Sequence, residues 1–300
     1  MKTESDWRRQ QERSNLAILR LMVWISLTFG RAVGRLVLHG IAAYYVLFAP
    51  RARRASRAYL HRALGRWSQW RDGYRHVFSF ASTIHDRIYL LNDRFDLFDI
   101  EVVGAEALTA ALERQPGALL IGAHLGSFEV LRAVGRGRAG LKVAMLMYEE
   151  NARKINATLQ AINPRAAEDI LPLGRVDSML AARDRLAQGY LVGMLADRGL
   201  GNDPTLDCDF LGQPAAFPLG PWRMAAMLQR PVFFMAGLYL GGNRYRIHFE
   251  QIADFSGLSR AEREPAISEA IRTYAGKLEE HCRQAPYNWF NFFDFWQTHD

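Results

Sequence analysis

A histidine and a glutamate five positions apart are the residues of this sequence best suited to do chemistry. They stand in the segment GAHLGSFE, where His124 is followed by Glu129. An imidazole accepts a proton from a hydroxyl or amine nucleophile at neutral pH. A carboxylate beside it fixes the tautomer of the ring and stabilises the imidazolium that forms. We therefore predict that His124 is a general base and Glu129 its partner, with a hydrogen-bonded core histidine as the alternative.

The elements around this segment suggest how the two side chains meet. The apolar run Ala118–Ala123 predicts a strand buried on both faces. His124 then lies at the carboxyl end of that strand, where open α/β folds place ligands. A continuous helix would hold His124 and Glu129 about 140° apart, so a strand, a turn and a helix are required. Gly126 permits the tight turn, and the backbone N–H groups of Gly126 and Ser127 are predicted to bind the oxyanion of the substrate.

Short apolar runs alternate with helical patterns along the rest of the chain. Strands are predicted at 98–103, 118–123, 141–147, 190–196, 231–239 and 244–249, and helices at 105–115, 177–188 and 259–283. The glycines at 241–242 supply hairpin turn chemistry between the last two strands. The pattern predicts an α/β fold with a mixed, largely parallel sheet flanked by helices and an antiparallel part near the C-terminus.

The N-terminal segment is both apolar and basic. The uncharged runs 21–30 and 36–50 are separated by two arginines, and each is shorter than the about 20 apolar residues of a spanning helix. Residues 1–66 hold 13 Lys+Arg and 3 Asp+Glu, which is a net charge of +10. Since the whole chain has a net charge of +7, the remaining residues have a net charge of −3. Basic residues beside apolar runs favour an anionic membrane surface as the partner. Two buried helices of a soluble domain are the alternative.

We divide the chain into two parts on this basis. Residues 1–56 are predicted to be a basic, apolar membrane-associating helical segment, and residues 57–300 a single α/β domain. No nucleic acid is expected as a partner, because the positive charge is confined to the N-terminal segment and no recognition motif is visible.

Cysteine and histidine spacing indicates no metal site. Cys208 and Cys282 are the two cysteines, and neither belongs to a CxxC or Cys/His pattern typical of zinc or to a disulfide framework. We therefore expect neither a metal ligand nor a redox cofactor.

Five segments in order resemble the bacterial lipid A biosynthesis acyltransferase family, the lauroyl and myristoyl transferases, which is similar to the glycerolipid and lysophospholipid acyltransferases. They are the apolar N-terminus with its basic stretch, the H-x4-E segment GAHLGSFE, the strand GYLVGMLAD that ends at Asp197, the stretch Phe210–Gly212 with Ala215, Ala216 and Gly220, and the C-terminal stretch Pro286–Phe290, which contains the motif P-x-x-W. The resemblance covers about residues 20–296.

The resemblance implies an enzyme that moves a fatty or polyene-like acyl group from an acyl carrier protein or coenzyme A thioester to a hydroxyl or amine of a lipid acceptor. It implies a location at the cytoplasmic face of the bacterial inner membrane. The H-x4-E pair would carry catalysis, and Asp197 and Arg165 would contribute to substrate binding, with Arg153 or Arg175 as alternatives to Arg165. The competing hypotheses are a thioesterase or esterase that uses the same site, and a non-catalytic lipid-binding membrane protein.

The sequence departs from the family pattern in two places. Arg198 and Gly199 follow Asp197 where the family shows a second acid, and Asp203 comes only later. The stretch 289–296 is rich in aromatic residues, which indicates either a tunnel for an acyl or aryl chain or ordinary core packing. The acceptor is therefore open between lipid A and another lipid.

Overall fold

The computed structural model describes residues 16–131, 141–148, 159, 162–163, 170–173, 176–199 and 203–296. Within these ranges the helices are α1 (Leu16–Phe48), α2 (Pro50–Leu64), α3 (Trp70–Leu90), α4 (Ala105–Arg114), α5 (Val176–Ala187), α6 (Gly220–Leu228) and α7 (Arg260–Gln284). The strands are β1 (Asp99–Val103), β2 (Ala118–Gly126), β3 (Val143–Tyr148), β4 (Ile170–Leu173), β5 (Leu191–Leu195), β6 (Thr205–Phe210), β7 (Gln213–Pro218), β8 (Pro231–Gly241) and β9 (Arg244–Asp254). One more helix begins at residue 128 and is described as far as residue 131.

Seven of the described strands form one mixed sheet in the order β1-β9-β8-β2-β5-β3-β4. Neighbouring strands are parallel except β8 and β9, which form an antiparallel hairpin. The predicted α/β class and largely parallel sheet are confirmed. The strands β2 and β5 are buried almost throughout, as expected for parallel strands that helices cover on both faces.

Two hydrophobic cores cover the two faces of the sheet. One core joins alternate residues of β2, β5 and β8 to α2, α5, α6 and α7, and it includes Tyr274 and Trp289. The other joins the opposite residues of β2, β8 and β9 to α4 and the end of α3. This alternation follows from the period of two in a strand, and it places α7 directly over β9, β8 and β2.

Helix α1 packs against α3 along one side. Gly34, Leu38 and Ala42 recur every four residues and are all buried, which is the spacing of a single helix face. The opposite side exposes large apolar side chains, namely Trp24, Leu27, Phe29, Val33, Leu36, Val37, Tyr44, Tyr45, Leu47 and Phe48. The helix is broken at Gly30, where φ is 82° and ψ is 171°.

Among the described helices, none alone has the length and apolar composition needed to cross a bilayer. The two consecutive stretches Met22–Phe48 and Pro50–Leu64 meet those criteria only as a pair, and they are bent by 95° relative to each other.

Arg31, the first of the two arginines between the apolar runs, fixes α1 to α3 and the sheet. The Nε–H of Arg31 donates to Oδ1 of Asp86 at 2.7 Å, and the Tyr245 hydroxyl on β9 donates to the other carboxylate oxygen at 2.8 Å. Asp86 is fully buried. Loss of either Arg31 or Asp86 would therefore leave the other charge buried without a partner of opposite charge. The domain boundary at residue 56 remains a prediction, and α2 runs through that position.

Candidate active site

His124 and Asp197 meet just beyond the point where the pairing of β2 with β5 ends, and β2 itself continues to Gly126, three residues past the predicted end of the strand. Gly122 of β2 pairs with Leu195 of β5, and each of the two side chains follows two residues later. Nδ1 of His124 lies 2.9 Å from Oδ1 of Asp197, and the backbone N–H of His124 donates to Oδ2 at 3.2 Å. The structure therefore brings together two residues that are 73 positions apart in the sequence.

The Asp197 carboxylate is fully buried and surrounded by donors. The indole N–H of Trp289 donates to Oδ2 at 3.0 Å, and Nε of Arg198 lies 3.6 Å from the same oxygen. Burial alone would raise the pKa of the carboxyl, but the charges of His124 and Arg198 and the hydrogen bonds that it accepts outweigh burial and hold the pKa well below its usual range. Asp197 is therefore an anion at neutral pH.

This anion decides which ring nitrogen of His124 carries the proton. A carboxylate only accepts hydrogen bonds, so Nδ1 must be the protonated nitrogen of the neutral ring. The lone pair is then on Nε2, for which the described residues provide no hydrogen-bond partner. Since the side chain of His124 is 39% exposed, Nε2 is available to a substrate. This is the arrangement of a histidine that acts as a general base.

Glu129 lies elsewhere in this arrangement. Its Oε1 is 2.9 Å from Nε of Arg87 on α3, and the carboxylate that holds the His124 ring belongs to Asp197. The expected contact between Glu129 and the ring is thus corrected. The physical reason is topological, because the parallel neighbour β5 delivers an acid directly beside the end of β2, whereas Glu129 faces α3 from the first turn of the next helix.

The turn residues Gly126 and Ser127 also differ from expectation. The N–H of Gly126 donates to the Asn288 carbonyl at 2.9 Å, and the N–H of Ser127 donates to the Gly237 carbonyl at 2.8 Å. Neither amide is free to bind an oxyanion in this structure, so that expectation is wrong. The Ser127 hydroxyl is buried and has no hydrogen-bond partner among the described residues. A role of these residues in substrate binding otherwise stays a prediction.

A segment after α7 completes the site and was not singled out for this role from the sequence. The N–H of Phe290 donates to the carbonyl of His124 at 2.8 Å, and Leu125 forms a β-bridge with Trp289. The Asn288 amide side chain binds both backbone polar groups of Tyr239. We call residues 285–291 the closing segment. Its motif P-x-x-W was the only sequence signal that pointed to it.

The predicted substrate-binding Arg165, and its alternatives Arg153 and Arg175, lie outside the described residues. The arginine that does reach the site is Arg198, whose Nη2–H donates to the Phe290 carbonyl at 2.8 Å. A second acid at position 198 would place like charge beside the buried Asp197, whereas Arg198 neutralises it and holds the closing segment.

Gly126 is a position where a side chain is not tolerated. Its φ is 72°, and a Cβ atom there would overlap the carbonyl oxygen of Gly237. We expect Gly126→Ala to lower the free energy of unfolding by at least about 2 kcal/mol, measured as a shift of the urea midpoint. The control is Gly276→Ala in α7, where a Cβ has open space, and which should raise stability by about 1 kcal/mol. An unchanged midpoint in Gly126→Ala would contradict the tight packing of β2 on β8.

Comparison with known proteins places this sequence in a family. The model of the bacterial lipid A biosynthesis acyltransferases matches residues 3–298, which is nearly the whole chain. No individual curated protein gives a significant match. The match includes the β2 end with its H-x4-E motif, the β5 end with Asp197 and the closing segment. The chain belongs to the bacterial lipid A biosynthesis acyltransferase family.

Proposed function

We propose that this protein transfers an acyl group from an acyl carrier protein or coenzyme A thioester to a hydroxyl or amine of a lipid, with His124 as the general base. The observation that carries the proposal is the pair of His124 and the buried anion Asp197, which leaves Nε2 unprotonated and accessible. Family membership supports acyl transfer to a lipid. The same chemistry suits a hydroxyl or amine of either lipid A or another membrane lipid as the acceptor.

The reaction follows from the position of the proton. The acceptor O–H or N–H loses its proton to Nε2 of His124 as its heavy atom attacks the thioester carbonyl carbon. The tetrahedral oxyanion then collapses, the C–S bond breaks, and the thiolate leaves and takes the proton from the imidazolium. Asp197 stabilises the imidazolium between these steps through Nδ1–H. These steps require no acyl-enzyme intermediate and no cofactor.

We further propose that the exposed side of α1 rests on a bilayer at the cytoplasmic face of the inner membrane. Monomeric soluble proteins seldom expose a contiguous group of large apolar side chains, and α1 exposes ten. The next helix adds the exposed arginines Arg51, Arg53, Arg54 and Arg57. Guanidinium groups beside an apolar face suit anionic headgroups, and they would also attract an acidic acyl carrier protein.

The membrane proposal gives a prediction for vesicle binding. Leu36 and Phe48 are 72% and 67% exposed, and transfer of such a side chain from water into a bilayer contributes about 1.5–3 kcal/mol. The double variant Leu36→Ser/Phe48→Ser should therefore bind vesicles with anionic lipid at least about tenfold more weakly. The matched control is Met227→Ser on α6, which is 65% exposed and should bind like wild type. Equal binding by the double variant in a vesicle flotation assay would argue against this surface.

The function itself is tested by a transfer assay. Purified protein is incubated with bacterial membranes and an isotope-labelled acyl-carrier thioester, or with the coenzyme A thioester, and the extracted lipids are analysed by mass spectrometry. A His124→Ala preparation controls for contaminating enzymes. A labelled lipid made by wild type alone supports the proposal and identifies the acceptor and donor. Release of free fatty acid without a labelled lipid would instead identify a thioesterase, and no turnover with either donor would favour the non-catalytic lipid-binding alternative.

A further inference from the structure

Two histidines and a glutamate converge between α7 and β9, away from the His124–Asp197 pair. His248 and Glu250 are two residues apart on β9 and so share the face that α7 covers. His281 lies in the last turns of α7. One nitrogen or oxygen atom from each of the three side chains lies within 4.8 Å of the other two.

The hydrogen bonds in this cluster are incomplete. Nε2 of His281 is 2.8 Å from Oε1 of Glu250, and Nζ of Lys277 is 2.6 Å from Oε2 of the same carboxylate. Nε2 of His248 and Nδ1 of His281 are buried and have no partner among the described residues. His281 as a whole is 1% exposed. A buried imidazole nitrogen without a partner carries a desolvation cost, so the cluster as it stands lacks a ligand for at least one ring.

We propose that His248, Glu250 and His281 bind one divalent transition-metal ion of the zinc type. Two imidazoles and one carboxylate are a donor set that Zn²⁺ favours, with a water molecule or other small ligand as the fourth donor. Ligand atoms around tetrahedral zinc lie roughly 3.4 Å apart. Small rotations of the three side chains would bring their ligand atoms from within 4.8 Å of one another to that spacing. Lys277 contacts Oε2 of Glu250, which is the orienting contact that a ligating carboxylate usually has. The metal would take the place of the hydrogen bond between Oε1 of Glu250 and Nε2 of His281.

The ion would join the hairpin strand β9 to the C-terminal end of α7. That end leads directly into the closing segment, which places Trp289 on the carboxylate of the candidate active site. The metal is thus a structural clamp and takes no part in acyl transfer. The separation of 31 residues between Glu250 and His281 is why motif spacing gives no sign of the site, and the expectation of no metal ligand came from that spacing.

The test is metal binding by the full chain, purified without a histidine tag and stripped with a chelator. Co²⁺ and Zn²⁺ are titrated separately, with the visible absorption of bound Co²⁺ and calorimetry as readouts. The variants are His248→Gln and Glu250→Gln, the second of which keeps the size of the side chain. His39→Gln is the control, because His39 is an exposed histidine outside the cluster. The fold of each variant is checked by circular dichroism.

We expect one Co²⁺ or Zn²⁺ per chain, with the intense absorption of tetrahedral cobalt, and a rise in melting temperature on addition of Zn²⁺. Each cluster variant should bind on the order of 100-fold more weakly, and His39→Gln should bind like wild type. Should His248→Gln fail to fold, Glu250→Gln alone carries the comparison. The proposal is overturned if wild type binds no metal or if a folded cluster variant binds as tightly as wild type. Since acyl transfer is not measured, this result is independent of the proposed function.

Discussion

A His124→Ala variant should lose about 10³- to 10⁴-fold in the rate of acyl transfer while it keeps its fold. The loss is expected because the variant has no group that can take the proton from the acceptor and return it to the leaving thiolate. The fold should persist because the side chain of His124 is 39% exposed and its backbone N–H and C=O remain bonded to Asp197 and Phe290.

The measurement is the initial rate of labelled-lipid formation at saturating thioester. His61→Ala serves as the control, because His61 is a histidine of α2 whose ring binds only a nearby backbone carbonyl and stacks on Trp67. It should retain wild-type activity. A His124→Ala variant that acylates lipid at the wild-type rate would rule out general-base catalysis by this residue.

An Asp197→Asn variant should lower kcat by about 10²- to 10⁴-fold with little change in KM. The amide side chain keeps the volume of the carboxylate, but it is uncharged and no longer stabilises the imidazolium that forms. It also allows its N–H₂ group to face Nδ1, which would favour the tautomer with the proton on Nε2, the nitrogen that has to be free.

Two comparisons make this prediction specific. The exposed Asp209→Asn variant should behave like wild type, and Glu129→Gln should lose less activity than Asp197→Asn, because Glu129 faces Arg87 and not the ring. The reverse order of the two losses would mean that Glu129 moves onto His124 when substrate binds. The double variant His124→Ala/Asp197→Asn should be no slower than His124→Ala alone, since the two residues act as a unit.

The central sheet was predictable because its strands are short, continuously apolar runs. The apolar runs that became β2, β3, β5 and β8 are too short for helices and are covered on both faces, so that apolar content alone identifies them. The hairpin of β6 and β7 was missed because half of the residues in its strands TLDCDF and QPAAFP are exposed and because the strands contain acids and prolines. The helix α6 was missed as well, since it is short and begins with Gly-Pro.

Both residues of the candidate pair were named from the sequence, but their contact was not. His124 and Asp197 each follow a predicted strand, which allows both to face one cleft. The order of strands in the sheet decides which acid reaches Nδ1, and no local pattern contains that order. The H-x4-E motif instead favoured Glu129, because a local motif contains no information about a parallel strand whose acid is 73 residues away. The contribution of Trp289 depends on the same long-range packing.

The closing segment sets the order in which this protein can become active during synthesis. The carbonyl of His124, the N–H of Gly126 and the carboxylate of Asp197 all find partners in residues 288–290. These partners leave the ribosome long after β2 and β5, at translation rates of about 5–20 residues per second. A nascent chain that has formed most of its sheet therefore still lacks these three contacts around the histidine–aspartate pair. We therefore expect the complete site to form only after residues 285–291 have left the ribosome and packed against β2 and Asp197.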